Sequence, residues 1–138
     1  MPYDSKFEKI YTKEASLEHR RNFGQFFTPY EIALLMSDWI LGVKRKSLKV
    51  LDPATGLGIF ERAIEERRNK NTEIVYDLWE IDPEIGNQLQ DIIQKELSVE
   101  ADINLADFLL SSWDKKYDAI IANPPYYKHH KIKNKEEI

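Results

Sequence analysis

Leu48-Lys49-Val50-Leu51-Asp52-Pro53-Ala54-Thr55-Gly56-Leu57-Gly58 begins as a short apolar run and ends in a loop with two glycines. Ile59-Phe60-Glu61-Arg62-Ala63-Ile64-Glu65-Glu66-Arg67 follows, with apolar residues back at helical spacing. The pattern is a buried strand, a glycine turn and a helix. Upstream, Thr28-Pro29-Tyr30-Glu31 offers a capping hydroxyl, a proline for the first helical position and a capping-box Glu. Apolar Ile32, Leu35, Met36 and Trp39 then predict a helix over 29–41, ended by Gly42. Ala15 to Arg21 is a further short helix by pattern.

Downstream, Ile74-Val75-Tyr76-Asp77-Leu78-Trp79 reads as a second strand. Asp82-Pro83 caps a helix over 83–97 despite the internal Gly86. Strands over 102–105 and 118–122 complete an alternation that predicts one α/β domain with a mostly parallel sheet, its connections right-handed crossovers.

Size and composition narrow the function. A chain of 138 residues suits one domain. The N-terminus lacks the apolar stretch of a secretion signal, and no apolar run approaches the ~20 residues that span a bilayer, so a cytoplasmic protein is expected. With no cysteine, thiolate catalysis and Cys-based zinc sites are excluded. His19, His129 and His130 are the only imidazoles and do not form a metal pair on one helix face, so no metal is expected. A net charge of −4 gives no general grip on phosphates, so nucleic-acid contact must be local. Lys44-Arg45-Lys46, Arg67-Arg68 and the tail lysines 128, 131, 133 and 135 are candidates, the first two reading better as solvated charge.

In an open parallel sheet, ligands gather outside the carboxyl ends of the strands. Gly56 and Gly58 allow close backbone approach there. The dinucleotide fingerprint would place a third glycine where Glu61 stands, and the Gly-Lys-Ser/Thr of a phosphate loop is missing. Asp52 at the strand tip suits a cationic or amino group instead. Glu80, about 20 residues beyond the loop, has the spacing of an acid that accepts ribose hydroxyls. Its neighbour Asp82 reads better as a helix cap. Asp107 at the third strand's end suits an adenine amino group with Phe108 on the ring face, or else a loop carboxylate beside a core aromatic.

The last strand runs into Asn123-Pro124-Pro125-Tyr126. Paired prolines hold Asn123 and Pro124 extended. The Asn123 side-chain oxygen and the Pro124 carbonyl are then placed to accept both hydrogens of a conjugated amino group while Tyr126 stacks on its ring. A strand-ending turn is the plainer alternative.

Taken in order, Gly24-Gln25-Phe26-Phe27-Thr28-Pro29, Asp52-Pro53-Ala54-Thr55-Gly56-Leu57-Gly58, Glu80-Ile81-Asp82, Asp107-Phe108 and Asn123-Pro124-Pro125-Tyr126 resemble the adenine-N6 DNA methyltransferases of bacterial restriction-modification systems. The likeness covers residues 23–127 and is to the class whose cofactor motifs precede the catalytic one. It implies a Rossmann-like S-adenosylmethionine-dependent methyltransferase fold, here a partial, mostly parallel sheet with flanking helices. Residues 1–28 would be an N-terminal segment with a cofactor-closing element, and residues 29–138 a partial catalytic domain.

By the same resemblance S-adenosyl-L-methionine is the cofactor. Phe27, Thr28, Pro29, Asp52, Pro53, Ala54, Thr55, Gly56, Gly58, Glu80, Ile81, Asp107 and Phe108 would hold it, and Asn123, Pro124, Pro125 and Tyr126 would present a flipped adenine. Double-stranded DNA would be the substrate, read mainly by parts beyond this chain, since such enzymes continue with further strands and a target-recognition domain. The fourth strand would then be an open edge able to take a second copy or a partner chain. Two other readings stay open: a non-catalytic S-adenosylmethionine-binding module that needs a partner, and a protein-glutamine or RNA methyltransferase. Asn-Pro-Pro-Tyr alone fits the latter, and the Gly-Gln-Phe-Phe-Thr-Pro element disfavours it.

Overall fold

The computed structural model describes residues 5–14 and 27–124. Four parallel strands, β1 (Ser47–Asp52), β2 (Glu73–Trp79), β3 (Ala101–Asn104) and β4 (Ala119–Ile120), lie in the order β3-β2-β1-β4. In β1, Leu48, Val50, Leu51 and Asp52 are buried, as a central strand covered on both faces requires. β1 pairs with β2 from Ser47↔Glu73 to Asp52↔Leu78, which brings Asp52 level with the end of β2. β4 makes only two pairs with β1, Val50↔Ala119 and Leu51↔Ile120, and forms one edge of the sheet.

Among the described residues four α-helices accompany the strands: α1 (Lys6–Glu14), α2 (Tyr30–Leu41), α3 (Ile59–Arg67) and α4 (Pro83–Asp91), the last running on into a π-helical turn (Ile92–Leu97). Apolar faces of α3 and α4 meet the sheet in a core that includes Val50, Phe60, Ile64, Tyr76, Leu78 and Leu89. A smaller cluster of Tyr11, Leu57, Ile85 and Ile92 fastens α1 over the glycine loop. Between α1 and α3, Arg62 pairs with Glu8, both buried, and its guanidinium lies over the Phe7 ring. Gly86 in α4 is a close approach, because a side chain there would run into Leu105.

The sequence-predicted strands and the helices after the glycine loop and after Asp82 are present. Two expectations change, both in α2. The helix expected over 15–21 falls outside the described residues, and α1, which was not expected, carries Phe7, Ile10 and Tyr11 at helical spacing. α2 forms where expected, but Ile32, Leu35 and Trp39 face outward, Trp39 at 82% exposure, while Ala33 and Ser37 are fully buried. The inward face packs against α3, where small residues allow close approach and the Ser37 hydroxyl donates to the Ala33 carbonyl at 2.7 Å. Finally, α2 starts at Tyr30 with Pro29 as its cap residue, whose side chain has no acceptor to offer, while the Thr28 hydroxyl accepts from Asn123.

Candidate functional site

At the carboxyl end of the sheet the loop after β1 folds over the loop after β2. Thr55 closes the first turn: its hydroxyl donates to the Asp52 carbonyl at 3.0 Å and accepts from Trp79 N–H at 3.1 Å. Its own N–H donates to the Trp79 carbonyl at 2.8 Å. Gly56 (φ 62°) and Gly58 (φ 84°) both take left-handed backbone that side chains disfavour. A Cβ on Gly56 would stand 3.7 Å from Phe27 Cε1, so the Phe27 ring roofs the loop. Tyr11 supports that ring edge-on, with centroids 5.7 Å apart.

Glu80 ties the two loops together. One carboxylate oxygen accepts from Gly56 N–H at 2.8 Å and the other from Asp82 N–H at 2.9 Å. Each oxygen has capacity for a second donor, so a ligand hydroxyl can add to a carboxylate already oriented by backbone. Burial raises its pKa, while the N–H groups of Asp82 and Gly56 act in the opposite direction. Ile81 beside it is exposed. Asp82 caps α4, accepting from Glu84 N–H at 3.0 Å, as its position before Pro83 suggested.

Asp52 is fully buried at the tip of β1 and accepts from Ala54 N–H at 3.2 Å, with Pro53 and Ala54 half-buried around the turn. Burial pushes its carboxyl up to about 7, against the lowering effect of a hydrogen bond from Glu61 and of the Ala54 N–H. Glu61, from the first turn of α3, is as deeply buried. Burial and the neighbouring Asp52 charge raise its pKa well above the carboxylate range. Glu61 was not among the sequence candidates, since a Glu in a first helical turn reads as a dipole-friendly surface residue.

Further along the same edge Asp107 caps a short 3-10 turn (Phe108–Leu110), accepting from Leu109 N–H at 3.0 Å. Phe108 stacks on Trp113, centroids 5.4 Å apart, and meets Trp79 edge-on at 5.5 Å. These three rings form one aromatic group next to Glu80. At the end of β4, Asn123 is half-buried and its Nδ2 donates to Thr28 Oγ1 at 2.8 Å. Pro124 is exposed, and Pro125 and Tyr126 lie outside the described residues, as do the tail lysines and all the histidines. An open cleft of about 420 Å³ on the α1 side is walled by Phe27, Thr28 and Pro29 together with Glu8, Lys9 and Thr12.

The arrangement gathers most of the sequence candidates along one rim: Phe27 over Gly56, Gly56 on Glu80, Thr28 on Asn123. A parallel sheet with a positive-φ glycine loop after its central strand has the fold of the S-adenosylmethionine-dependent methyltransferases. The methyltransferase subunit of a type I restriction-modification system from Streptococcus thermophilus superposes with a TM-score of 0.62 at 18% identity, covering 86% of this chain and 32% of that one. An S-adenosylmethionine-dependent O-methyltransferase from Thermotoga maritima gives 0.54 at 15% identity, covering 83% and 39%.

The chain belongs to the N-6 DNA methylase family, whose profile matches residues 5–138. It is 44% identical over 133 residues to the type II methyltransferase M.AccI of Acinetobacter calcoaceticus, covering 96% of this chain and 23% of that protein. To the type II methyltransferase M.VspI of a Vibrio species it is 34% identical over 134 residues, covering 94% and 32%. It thus spans about a quarter of the length of the first of these relatives and about a third of the second. Among the described residues no helix is long and apolar enough to cross a membrane, and no group of His, Cys, Asp or Glu is placed to hold a metal ion.

Proposed function

We propose that this chain is the cofactor-binding and catalytic-loop part of a site-specific DNA adenine-N6 methyltransferase of a restriction-modification system. The observation that carries the reading is the Thr28–Asn123 hydrogen bond, which joins the Phe27-Thr28-Pro29 segment to the strand-end asparagine beside the glycine loop. Residues 1–28 then act as a cofactor-closing segment and residues 29–138 as a partial catalytic domain.

S-adenosyl-L-methionine would supply an electrophilic methyl group. Its fit rests on the site itself: Trp79 Nε1 is buried without a hydrogen-bond partner, and the Glu80 oxygens have acceptor capacity left. Asp52 faces the cationic amino-acid end, Pro53, Ala54, Thr55, Gly56 and Gly58 shape the loop around it, and Phe27, Thr28 and Pro29 cover it. Glu80 takes the ribose hydroxyls. Ile81, Phe108 and Asp107 surround the adenine, Asp107 accepting from its amino group. Phe108 already has a ring on one side, so its contact with the cofactor is at an edge or the other face.

The base to be methylated must leave the duplex, because its amino group inside the stack cannot be aligned with the methyl donor. With Nδ2 on Thr28, the acceptor of the Asn123 amide is Oδ1. That oxygen and the Pro124 carbonyl take the two amino hydrogens and turn the nitrogen lone pair out of conjugation. In this reading Tyr126 is the residue that stacks on the base. Positioning and oriented acceptors supply the catalysis.

The same reading places the protein in the cytoplasm, with double-stranded DNA contacted chiefly by parts of the protein beyond these residues. β4, with its two pairs to β1 and exposed Ile120, is the edge where a further strand or a partner chain would add. Methylation assays with duplex DNA, RNA and protein substrates test the reading. Transfer to adenine N6 of unmodified DNA supports it, and transfer to RNA or to protein glutamine overturns it.

A further inference from the structure

Glu61 stands out among the buried groups. It is 0% exposed, as is Asp52, and neither of its oxygens nor Asp52 Oδ2 has a hydrogen-bond partner in the protein when both side chains are ionised. A buried carboxylate left in that state costs several kcal/mol, and two in contact cost more. A leucine would satisfy the same helix position and the same burial at no electrostatic cost. The two acids are compatible if they hold one proton between them, so that Glu61 hydrogen-bonds Asp52. Asp52 would in turn present its carboxylate to the site at the end of β1.

We propose that Glu61 is a positioning residue that shares a proton with Asp52, and that this proton is released to solvent when the ammonium group of the cofactor's amino-acid end docks on Asp52. The proposal rests on the cofactor reading above. Before docking, the pair carries one negative charge and one proton. Afterwards the ligand's ammonium takes the proton's place as the cation shared by the two carboxylates, so that neither is left ionised without a positive partner and the net charge of the pair with its cation is unchanged.

The charged and titratable surroundings fit this one-proton exchange. Glu80 adds negative charge from the β2 side and disfavours full ionisation of the pair in the unliganded protein. Arg62, next to Glu61 on α3, favours the ionised form, but is also paired with Glu8 of α1. The Tyr76 hydroxyl from β2, hydrogen-bonded to Glu65 at 2.8 Å, has its pKa raised by burial first and by Glu61 among nearby charges, so it stays a neutral neighbour. Burial of Asp52 and Glu61 raises both carboxyls, with Asp52 at about 7, so the shared proton is exchangeable near neutral pH.

The test is calorimetric titration of the 138-residue chain with S-adenosylmethionine at several pH values in buffers of different ionisation enthalpy. The wild type should release up to about one proton per ligand, with affinity rising by at most about tenfold per pH unit below about pH 7. Glu61→Gln keeps a donor to Asp52 but no titrating proton. It should bind with near wild-type affinity, a flattened pH profile and little proton release. Glu61→Leu removes the donor and should lose at least about tenfold in affinity, which Gln restores. The wild-type proton count requires no variant to fold. Binding with no net proton release, or proton release that persists in Glu61→Gln, overturns the proposal while leaving the cofactor reading standing. No binding by the folded wild type overturns both.

Discussion

Asn123 Nδ2 donates to Thr28 Oγ1 at 2.8 Å, linking the end of β4 to the segment just ahead of α2 across 95 positions of sequence. The bond orients the amide that the proposed function requires as an acceptor. Thr28→Val removes the hydroxyl and nearly preserves volume. In the complete methyltransferase it should lower kcat by roughly tenfold or more with little change in cofactor affinity, and Thr28→Ser should restore most of the rate. Equal rates for Val, Ser and wild type would separate Thr28 from Asn123 function.

Asn123→Ala should abolish methyl transfer while leaving S-adenosylmethionine binding largely intact, since Asn123 faces the target amino group in this account and Asp52 and Glu80 hold the cofactor. Steady-state transfer assays paired with binding titration check it. A parallel loss of both would take Asn123 out of the catalytic step.

The buried Arg62–Glu8 pair holds α1 over the helix that starts the site. Glu8→Ala removes the carboxylate partner of a buried guanidinium that also donates to the Leu57 carbonyl at 3.3 Å, and should cost about 3–5 kcal/mol of unfolding free energy. Urea denaturation measures the cost, and a loss below about 1 kcal/mol would mean that Arg62 finds water or another partner.

Gly58 combines φ 84° with a neighbour, Leu89 Cδ1, 3.3 Å from where a Cβ would stand. Gly58→Ala should destabilise the fold by about 1–2 kcal/mol through left-handed backbone strain, with any displacement of Leu89 added to that. The shift in the urea midpoint reads it.

Stability should also respond to pH in an uncommon direction for carboxylates. Burial raises Asp52 to about 7 and lifts Glu61 and Glu80 above their ordinary values. Between about pH 4 and 7 the folded chain therefore holds protons that the unfolded chain has released. The contribution of these groups is fully present below the ordinary carboxylate range and is lost as pH rises through about 7. Asp52 alone accounts for a fall on the order of a few kcal/mol at most. Denaturation from pH 5 to 8 should show declining stability, with a smaller decline in Asp52→Asn; a rise over that interval in the wild type would contradict the assignment.

Much of this was legible in the sequence because the signals were local. β1, the glycine loop and α3 are set by an apolar run, two glycines and a helical period, and Asp82-Pro83 marks its helix start by cap chemistry. What escaped was decided by tertiary contact. Ile32, Leu35 and Trp39 form a convincing apolar stripe, but the core takes the opposite face of α2, where Ala33 and Ser37 permit close helix packing. Thr28 has the profile of a helix cap, and a residue 95 positions away takes its hydroxyl. Glu61 sits in a first helical turn where charge is usual, and only the packing of α3 against the end of β1 shows that it is buried against another acid. Glu80 was found through its spacing to the glycine loop, though its bonds to Gly56 and Asp82 backbone could not be read from that spacing.

The measurement that bears most directly on the whole account is calorimetric titration of the folded chain with S-adenosylmethionine, with Glu80→Ala as the paired variant. The account predicts saturable binding at one site, weakened at least about tenfold in the variant by loss of the ribose-facing carboxylate and its loop ties. Absence of binding by a chain that is demonstrably folded, or binding that Glu80→Ala leaves unchanged, would contradict it.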